Sequence, residues 1–247
     1  GKLVHSAPIT TPKGTMMHDF MITRDHAIFM DLPVVFDLDN AAKGGSPIGW
    51  DDNYGARIGI LPRMGTNADI RWFDVNPCYV FHPLNAYVSG DEVICDVGRH
   101  ETMWRGSMEN GSPSYMHRWR FNMVTGAVHE EQMDDVAHAF PRVDDRVVGL
   151  KHRFGYVASP RDTTKGGLSD PSTIVKYDMS NGSKAIHDLG PAAFPGEFVF
   201  VQDTATGAED DGWVMGFVYD KTTDSSDLVI LDAKDMSKPP VARVHLP

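Results

Sequence analysis

Short apolar or alternating runs, separated by turn residues, recur along all 247 residues, and helical periodicity is scarce. The runs include AIFMDLPVVFD (27–37), RIGILPR (57–63), CYVFH (78–82), EVICDV (92–97), VVGLKHRFGYVAS (147–159), EFVFVQD (197–203), GWVMGFVYD (212–220) and DLVILDA (227–233). Strands of this length, bounded by Gly, Pro, Asn and Asp, predict an all-β fold.

The runs also repeat. IRWFDVNPCYVFH, HRWRFNMVTGAVHEE, IVKYDMSNGSKAIHDLG and LVILDAKDMSKPPVARVHL share one pattern: an apolar strand, Asp or Asn, a short turn and a second strand. Aligned on Phe73, Phe121, Tyr177 and Leu231, they are spaced by 48, 56 and 54 residues. Each reads as a hairpin, with Asn, Gly and Ser supplied where a turn needs them. A period of roughly 50 residues suits the four-stranded blades of a β-propeller, and the length then gives about five blades. The competing architecture is a β-sandwich with a fortuitous spacing. No linker divides the chain, so residues 1–247 are expected to form a single partial propeller domain. KGGSPIGWDDNYG (43–55) and SPRDTTKGGLSDPST (159–173) read as long loops, and AEDDGW (208–213) as a solvated turn.

Composition narrows the function. Apolar residues make up 41%, enough for a sizeable core, and the formal net charge is −11. Nucleic acids and anionic membranes need clustered Lys and Arg, so neither is an expected partner. The two cysteines, Cys78 and Cys95, lie in strand-like runs and read as buried reduced thiols. No leader peptide and no apolar run of about 18 residues is visible, which sets a cytoplasmic placement as the expectation. The chain opens GKLVHS without Met and closes VARVHLP inside a strand-like run, so it reads as an internal piece of a longer protein.

Of the eleven histidines, His117, His129, His152 and His187 sit among charged residues and read as surface or strand-edge positions. His5, His26, His100, His138 and His245 have no supporting pattern. His18, in GTMMHDFMIT, and His82, at the end of CYVFH, are single histidines on apolar strands. Pro83 and Asn85 are then expected to turn the chain away. Neutral imidazole is the commonest metal ligand. From these two positions alone, a core or capping role still outweighs a ligand role. No G-x-S-x-G or H-E-x-x-H is present, and GGLSD (166–170) is too poor in Gly for a phosphate loop.

MMHDFMIT, RIGILPR, ADIRWFDV, YVFHPLNAY, FPRVDDR, KHRFGY, GEFVFV, AEDDGWVMGFVYD, DLVILDA and PPVARVHLP together resemble the carotenoid cleavage oxygenase family. The family includes carotenoid and stilbene dioxygenases and the vertebrate retinoid isomerase. The resemblance runs from about residue 14 to residue 247, in the family's order. It implies a seven-bladed β-propeller with a non-haem Fe(II) on its axis, held by four histidines. His18 matches the second ligand and His82 the third; the first would lie upstream of Gly1 and the fourth beyond Pro247. His245 is not that ligand. The family holds its ligand imidazoles through glutamates that take the other ring N–H. Glu197 matches one of these. A second is expected just before FPR, where this chain has Ala139, which cannot accept the bond. His138 beside it would take that part only with a backbone shift. Val88, after NAY, is a second departure from an often acidic position.

The implied activity is oxidative cleavage of a conjugated C=C bond, using O2, into two carbonyl products. A stilbene-like phenylpropanoid is the first expectation for substrate and a carotenoid or apocarotenoid the next. Tyr54, Phe20, Met64 and Trp104 are candidates for a substrate tunnel, although core or loop packing outweighs that role for each. Peripheral contact with a membrane is compatible with an apolar substrate. The alternatives are a catalytically degenerate binding propeller, which Ala139 keeps open, and a retinoid-isomerase-like enzyme. With two of four ligands, the chain alone is expected to hold iron weakly or not at all.

Overall fold

Three of the four repeated passages share one turn device. Asn122, Asp178 and Asp232 each follow the aligned residue, and each side chain accepts a backbone N–H two residues on, from Val124 (3.0 Å), Ser180 (3.0 Å) and Lys234 (2.9 Å). Such an Asx turn reverses the chain at small conformational cost, so the strands before and after it pair. The computed structural model describes residues 1–160, 171–203 and 207–247. Within them these turns close the hairpins Ser114–Asn122 with Val128–Gln132, Pro171–Asp178 with Ser183–Asp188, and Ser225–Asp232 with Ala242–His245. The fourth passage is not a hairpin. Arg71–Asp74 is the last strand of one sheet and Tyr79–Ser89 the first strand of the next.

Four antiparallel sheets result. The first runs Met21–Ile22, His26–Asp31, Arg57–Pro62, Arg71–Asp74. The second runs Tyr79–Ser89, Glu92–His100, Ser114–Asn122, Val128–Gln132. In the third, Ala139–Arg142 is followed by Phe154–Pro160, Pro171–Asp178 and Ser183–Asp188. The fourth splits its first strand into Ala193–Pro195 and Val199–Gln202, both paired to Gly212–Asp220, and continues through Ser225–Asp232 and Ala242–His245. Each is a sequential meander of blade size. The period led to about five units; four sheets of this kind are described. The remaining length goes into two places. One is the N-terminal stretch, whose β-pairing ahead of Met21 is the bridge Thr15–Val35. The other is an insertion in the first sheet that carries the hairpin Val34–Phe36 with Ile48–Trp50 and the helix Leu38–Ala42. That hairpin corrects the reading of 43–55 as plain loop. Of the loop read over 159–173, residues 161–170, including GGLSD, lie outside the described residues.

The core lies between sheets. Ile28, Ile58 and Ile60 of the first sheet pack with Cys95, Trp119 and Phe121 of the second. Phe154, Tyr156 and Ile174 of the third pack with Val214, Val218 and Leu231 of the fourth. Between the second and third the apolar layer is smaller: Leu84, Met116, Val143, Val157, Val175 and Tyr177. Both cysteines are buried and free.

Polar groups complete that smaller junction. Asn85 donates to the carbonyls of Val147 (3.0 Å) and Leu150 (2.9 Å) and accepts from Gly149 N–H (2.9 Å). Gly149 sits at φ +82°, a conformation that favours glycine in this tight turn. Asp96 is fully buried and binds Arg118 through two hydrogen bonds, 2.7 and 2.9 Å. His152 Nε2 lies 3.5 Å from the same carboxylate. The third and fourth sheets are joined by EDDG. Glu209 accepts both Arg153 and Phe154 N–H at 2.7 Å, Asp210 pairs with Lys176 at 2.6 Å, and Asp211 is buried and pairs with Lys234 at 2.6 Å. The segment 208–213 is therefore an anchor, not a solvated turn.

His117, His152 and His187 are buried, against the surface reading, while His129 is exposed. The charged neighbours mislead because those charges are themselves paired: Arg118 with Asp96, Arg153 with Asp178 and Lys184 with Asp134. Pro83 and Asn85 do not end the strand at His82. Tyr79–Ser89 runs eleven residues, and the register slips between Val80 and Pro83 and again between Pro83 and Asn85. Proline cannot donate to the ladder, so the strand bulges and continues.

Asp96→Asn should leave the buried Arg118 guanidinium uncompensated and cost about 3–5 kcal/mol. Urea unfolding of the two proteins measures it; a loss under about 1 kcal/mol would show that the pair does not hold this junction.

Candidate metal centre

The first strands of the first three sheets lie side by side, and Glu197 of the fourth reaches Arg142 of the third, which gathers the residues singled out from the sequence. His18 is three residues ahead of Met21–Ile22, outside any strand, and is exposed. His82 lies in Tyr79–Ser89, within the bulge, and is half-buried. Ala139 opens Ala139–Arg142 and is buried. Glu197 sits between the two halves of the fourth sheet's first strand. Four consecutive sheets thus each present one such position on or beside their first strand.

His18 and His82 meet edge to face, ring centroids 4.9 Å apart. Burial, and then the neighbouring His18, hold the His82 imidazole below its ordinary value; Glu197 and Asp19 pull the other way. His82 is therefore neutral near pH 7, the form a metal needs. Glu197 is close enough to act on His82 electrostatically, yet its carboxylate is engaged by Arg142, with Nε to Oε1 at 3.3 Å. Among the described residues no group of three or more His, Cys, Asp or Glu side chains is placed to hold a metal ion. Two adjacent imidazoles fit part of an all-histidine site.

Aromatic side chains surround the pair. Phe81 lies 5.5 Å from His18, and Phe140 lies 5.3 Å from His82. Trp104 packs 5.5 Å from Phe81. Phe140 and Trp104 both take positive φ, +52° and +56°. Such strain in a non-glycine residue persists only where surrounding structure enforces it, and it clusters at functional sites. The register slip in Ala139–Arg142 coincides with Phe140. Of the other tunnel candidates, Phe20 is exposed and stacks on Phe29 at 6.1 Å. Met64 is exposed, and the Tyr54 hydroxyl donates to buried Asp31 at 2.7 Å.

Two residues without a sequence signal belong to this region. His100 and His138 line the same small space as His82, together with Ser114, Gly98 and Ala139. The strand Glu92–His100 and the residue just ahead of Ala139–Arg142 bring them there from 18 and 56 residues away in the chain. No local pattern encodes that approach.

Four stacked antiparallel meanders with first strands converging on one site are blades of a β-propeller. The family described as Retinal pigment epithelial membrane protein (RPE65) matches residues 1–247. A carotenoid cleavage oxygenase of Mycobacterium tuberculosis is 36% identical over 94% of this chain and 56% of its own length. The crystal structure of Pseudomonas brassicacearum lignostilbene dioxygenase superposes with a TM-score of 0.89 at 25% identity, covering 100% of this chain and 55% of that one. Cobalt-substituted Synechocystis ACO gives 0.86 at 27% identity, over 94% and 50%. The chain belongs to the RPE65/carotenoid cleavage oxygenase family, whose solved members are seven-bladed propellers. It spans about half the length of the relatives it matches. Among the described residues no helix is long and apolar enough to cross a membrane.

His100, His117, His138 and His152 are all held below the ordinary imidazole value, chiefly by burial, and His100 and His138 fall to about 4. Above about pH 6.5 these rings are neutral in both folded and unfolded chains, so their contribution is constant. Below it the unfolded chain takes up protons first. Stability should therefore fall as pH drops from about 6.5 towards 4. Denaturant midpoints at pH 7.5, 6.5 and 5.5 measure it; a midpoint unchanged over that range would contradict the buried neutral rings.

Proposed function

We propose that this chain is one partial propeller domain, residues 1–247, of a non-haem Fe(II) dioxygenase that cleaves a conjugated C=C bond. The observation that carries the reading is the meeting of His18 and His82, 4.9 Å apart, where the first strands of two consecutive sheets converge. Two imidazole ligands suit Fe(II) and leave coordination positions for O2. When bound, the iron supplies the oxygen chemistry by which one C=C bond and one O2 become two carbonyl groups. The chain supplies the imidazoles and an apolar wall. Glu197 is the carboxylate proposed to hold a ligand imidazole by its second N–H, released from Arg142 when that histidine is present.

Phe81, Phe140 and Trp104 line the approach to His82 with ring faces and edges. Such a wall takes a flat conjugated substrate and excludes water. Both a stilbene-like phenylpropanoid and a carotenoid or apocarotenoid have that chemistry. The names of the relatives, a carotenoid cleavage oxygenase and a lignostilbene dioxygenase, support the same two classes. Cytoplasmic placement, with peripheral contact where an apolar substrate is drawn from a membrane, belongs to this reading. One observation favours a second reading, a propeller that binds without catalysing: Ala139 is buried and offers no acceptor where a ligand-orienting carboxylate is expected.

The test uses the full-length protein. Iron content, O2 consumption and products are followed with a hydroxylated stilbene and with an apocarotenal. Cleavage predicts one O2 consumed per two carbonyl products. His18→Ala and His82→Ala should each remove most of the bound iron and lower turnover at least 100-fold, roughly the scale for loss of a metal ligand or its support. Isomerised product without O2 uptake would assign isomerase chemistry. Iron bound at wild-type stoichiometry in both variants would overturn the site.

A further inference from the structure

His138 is buried, and its backbone is fixed. Its N–H donates to the Ser114 carbonyl at 3.0 Å, and its own carbonyl accepts from Ser114 Oγ at 2.9 Å. Nδ1 lies 3.2 Å from the Val136 carbonyl oxygen, which can only accept, so Nδ1 keeps its proton. Burial lowers the ring to about 4, so it is neutral near pH 7 and Nε2 carries a bare lone pair. That nitrogen is fully enclosed and has no hydrogen-bond partner. A buried acceptor left without a donor is uncommon enough in folded proteins to need a cause.

Gly98 supplies the second observation. Its φ is unexceptional, so conformation does not demand glycine there. A Cβ at Gly98 would stand 2.9 Å from Ser114 Oγ, 3.2 Å from His138 Nε2 and 3.3 Å from the His82 carbonyl oxygen. Glycine therefore keeps open the space in front of the bare nitrogen. His82, His138 and Ala139 all line that space, which has room for about one water molecule. No hydrogen bond to the His82 ring forms among the described residues, and the Ala139 methyl can supply none.

We propose that a water molecule in this space links the His82 ring N–H to His138 Nε2, which makes His138 a positioning residue for His82. The water donates one hydrogen to His138 Nε2 and accepts the His82 N–H. This is the part a carboxylate at 139 would play, carried out through water and without the backbone shift that a direct contact would need. A ring N–H held in this way fixes the tautomer and orientation of a ligand imidazole. The inference rests on the proposed role of His82 as a ligand.

Four variants of the full-length protein separate the two claims. Metal affinity is measured by competition titration with Co(II), together with the visible d–d spectrum and the thermal midpoint. His82→Ala tests the ligand assignment and should lose tight binding. His138→Leu removes the acceptor at similar volume, and Gly98→Ala fills the water space. Each should weaken Co(II) binding about 10–100-fold and shift the d–d bands. His138→Gln keeps an acceptor and should recover most of the affinity, which a merely structural role of the ring would not predict. If His82→Ala loses metal while His138→Leu and Gly98→Ala bind as wild type with unchanged spectra, the water link is wrong and the ligand assignment stands. If His82→Ala itself binds as wild type, both fail. Should His138→Leu or Gly98→Ala not fold, a crystal structure of the wild-type protein decides. Density for a water between the two imidazoles supports the link, and an empty gap overturns it.

Discussion

Asn85 holds the second and third sheets in register. Its amide binds two carbonyls and one N–H of the 147–150 turn, and nothing apolar could replace all three. The apolar layer at this junction is the smallest of the three, so directional bonds set its geometry. Asp96, Arg118 and His152 extend the polar contact inward. A buried pair of this kind adds little stability over a well-packed apolar substitute, but it tolerates few alternative arrangements. That selectivity matters here because Asn85 is three residues from His82. Whatever fixes Asn85 fixes the bulged strand, and the strand fixes the imidazole.

The site inherits its shape from that constraint. Pro83 cannot donate to the ladder, and the register slips on either side of it place the His82 ring against His18. A second slip, at Phe140, brings the third sheet's first strand to the other side of the ring. The first strands of the second and third sheets therefore slip in register at His82 and at Phe140, and that of the fourth is split where Glu197 lies. In a propeller, regular strands would present alternating faces to neighbouring blades and none to the axis. Bulges are the device that re-aims a side chain without ending a strand.

Much of this was legible in the chain. The roughly 50-residue period, the Asx turns after Phe121, Tyr177 and Leu231, and the apolar runs identify blade hairpins directly, since turn chemistry is local. The fourth repeat, at Phe73, imitated the pattern while joining two sheets: Asp74 and Pro77 punctuate a crossover as readily as a turn. His18 and His82 stood out as polar residues in apolar surroundings, and a resemblance, not spacing, gave them a role. His138 and His100 were passed over because their significance is a matter of approach across strands. His117, His152 and His187 read as surface positions from sequence because their charged neighbours look solvated, while in the fold those charges are neutralised by partners distant in the chain. EDDG failed for the same reason: acidic residues in a turn resemble a solvated loop until their cationic partners, far along the chain, are in view.

The central claim is that the convergence of first strands builds a metal site with His18 and His82 as two of its ligands. Anomalous diffraction at the iron edge, from crystals of the full-length protein grown with Fe(II), tests it most directly. The account predicts one strong peak about 2.0–2.3 Å from a ring nitrogen of each, within the usual range for imidazole ligation. A peak bound elsewhere, or none at these rings in iron-replete protein, would contradict it.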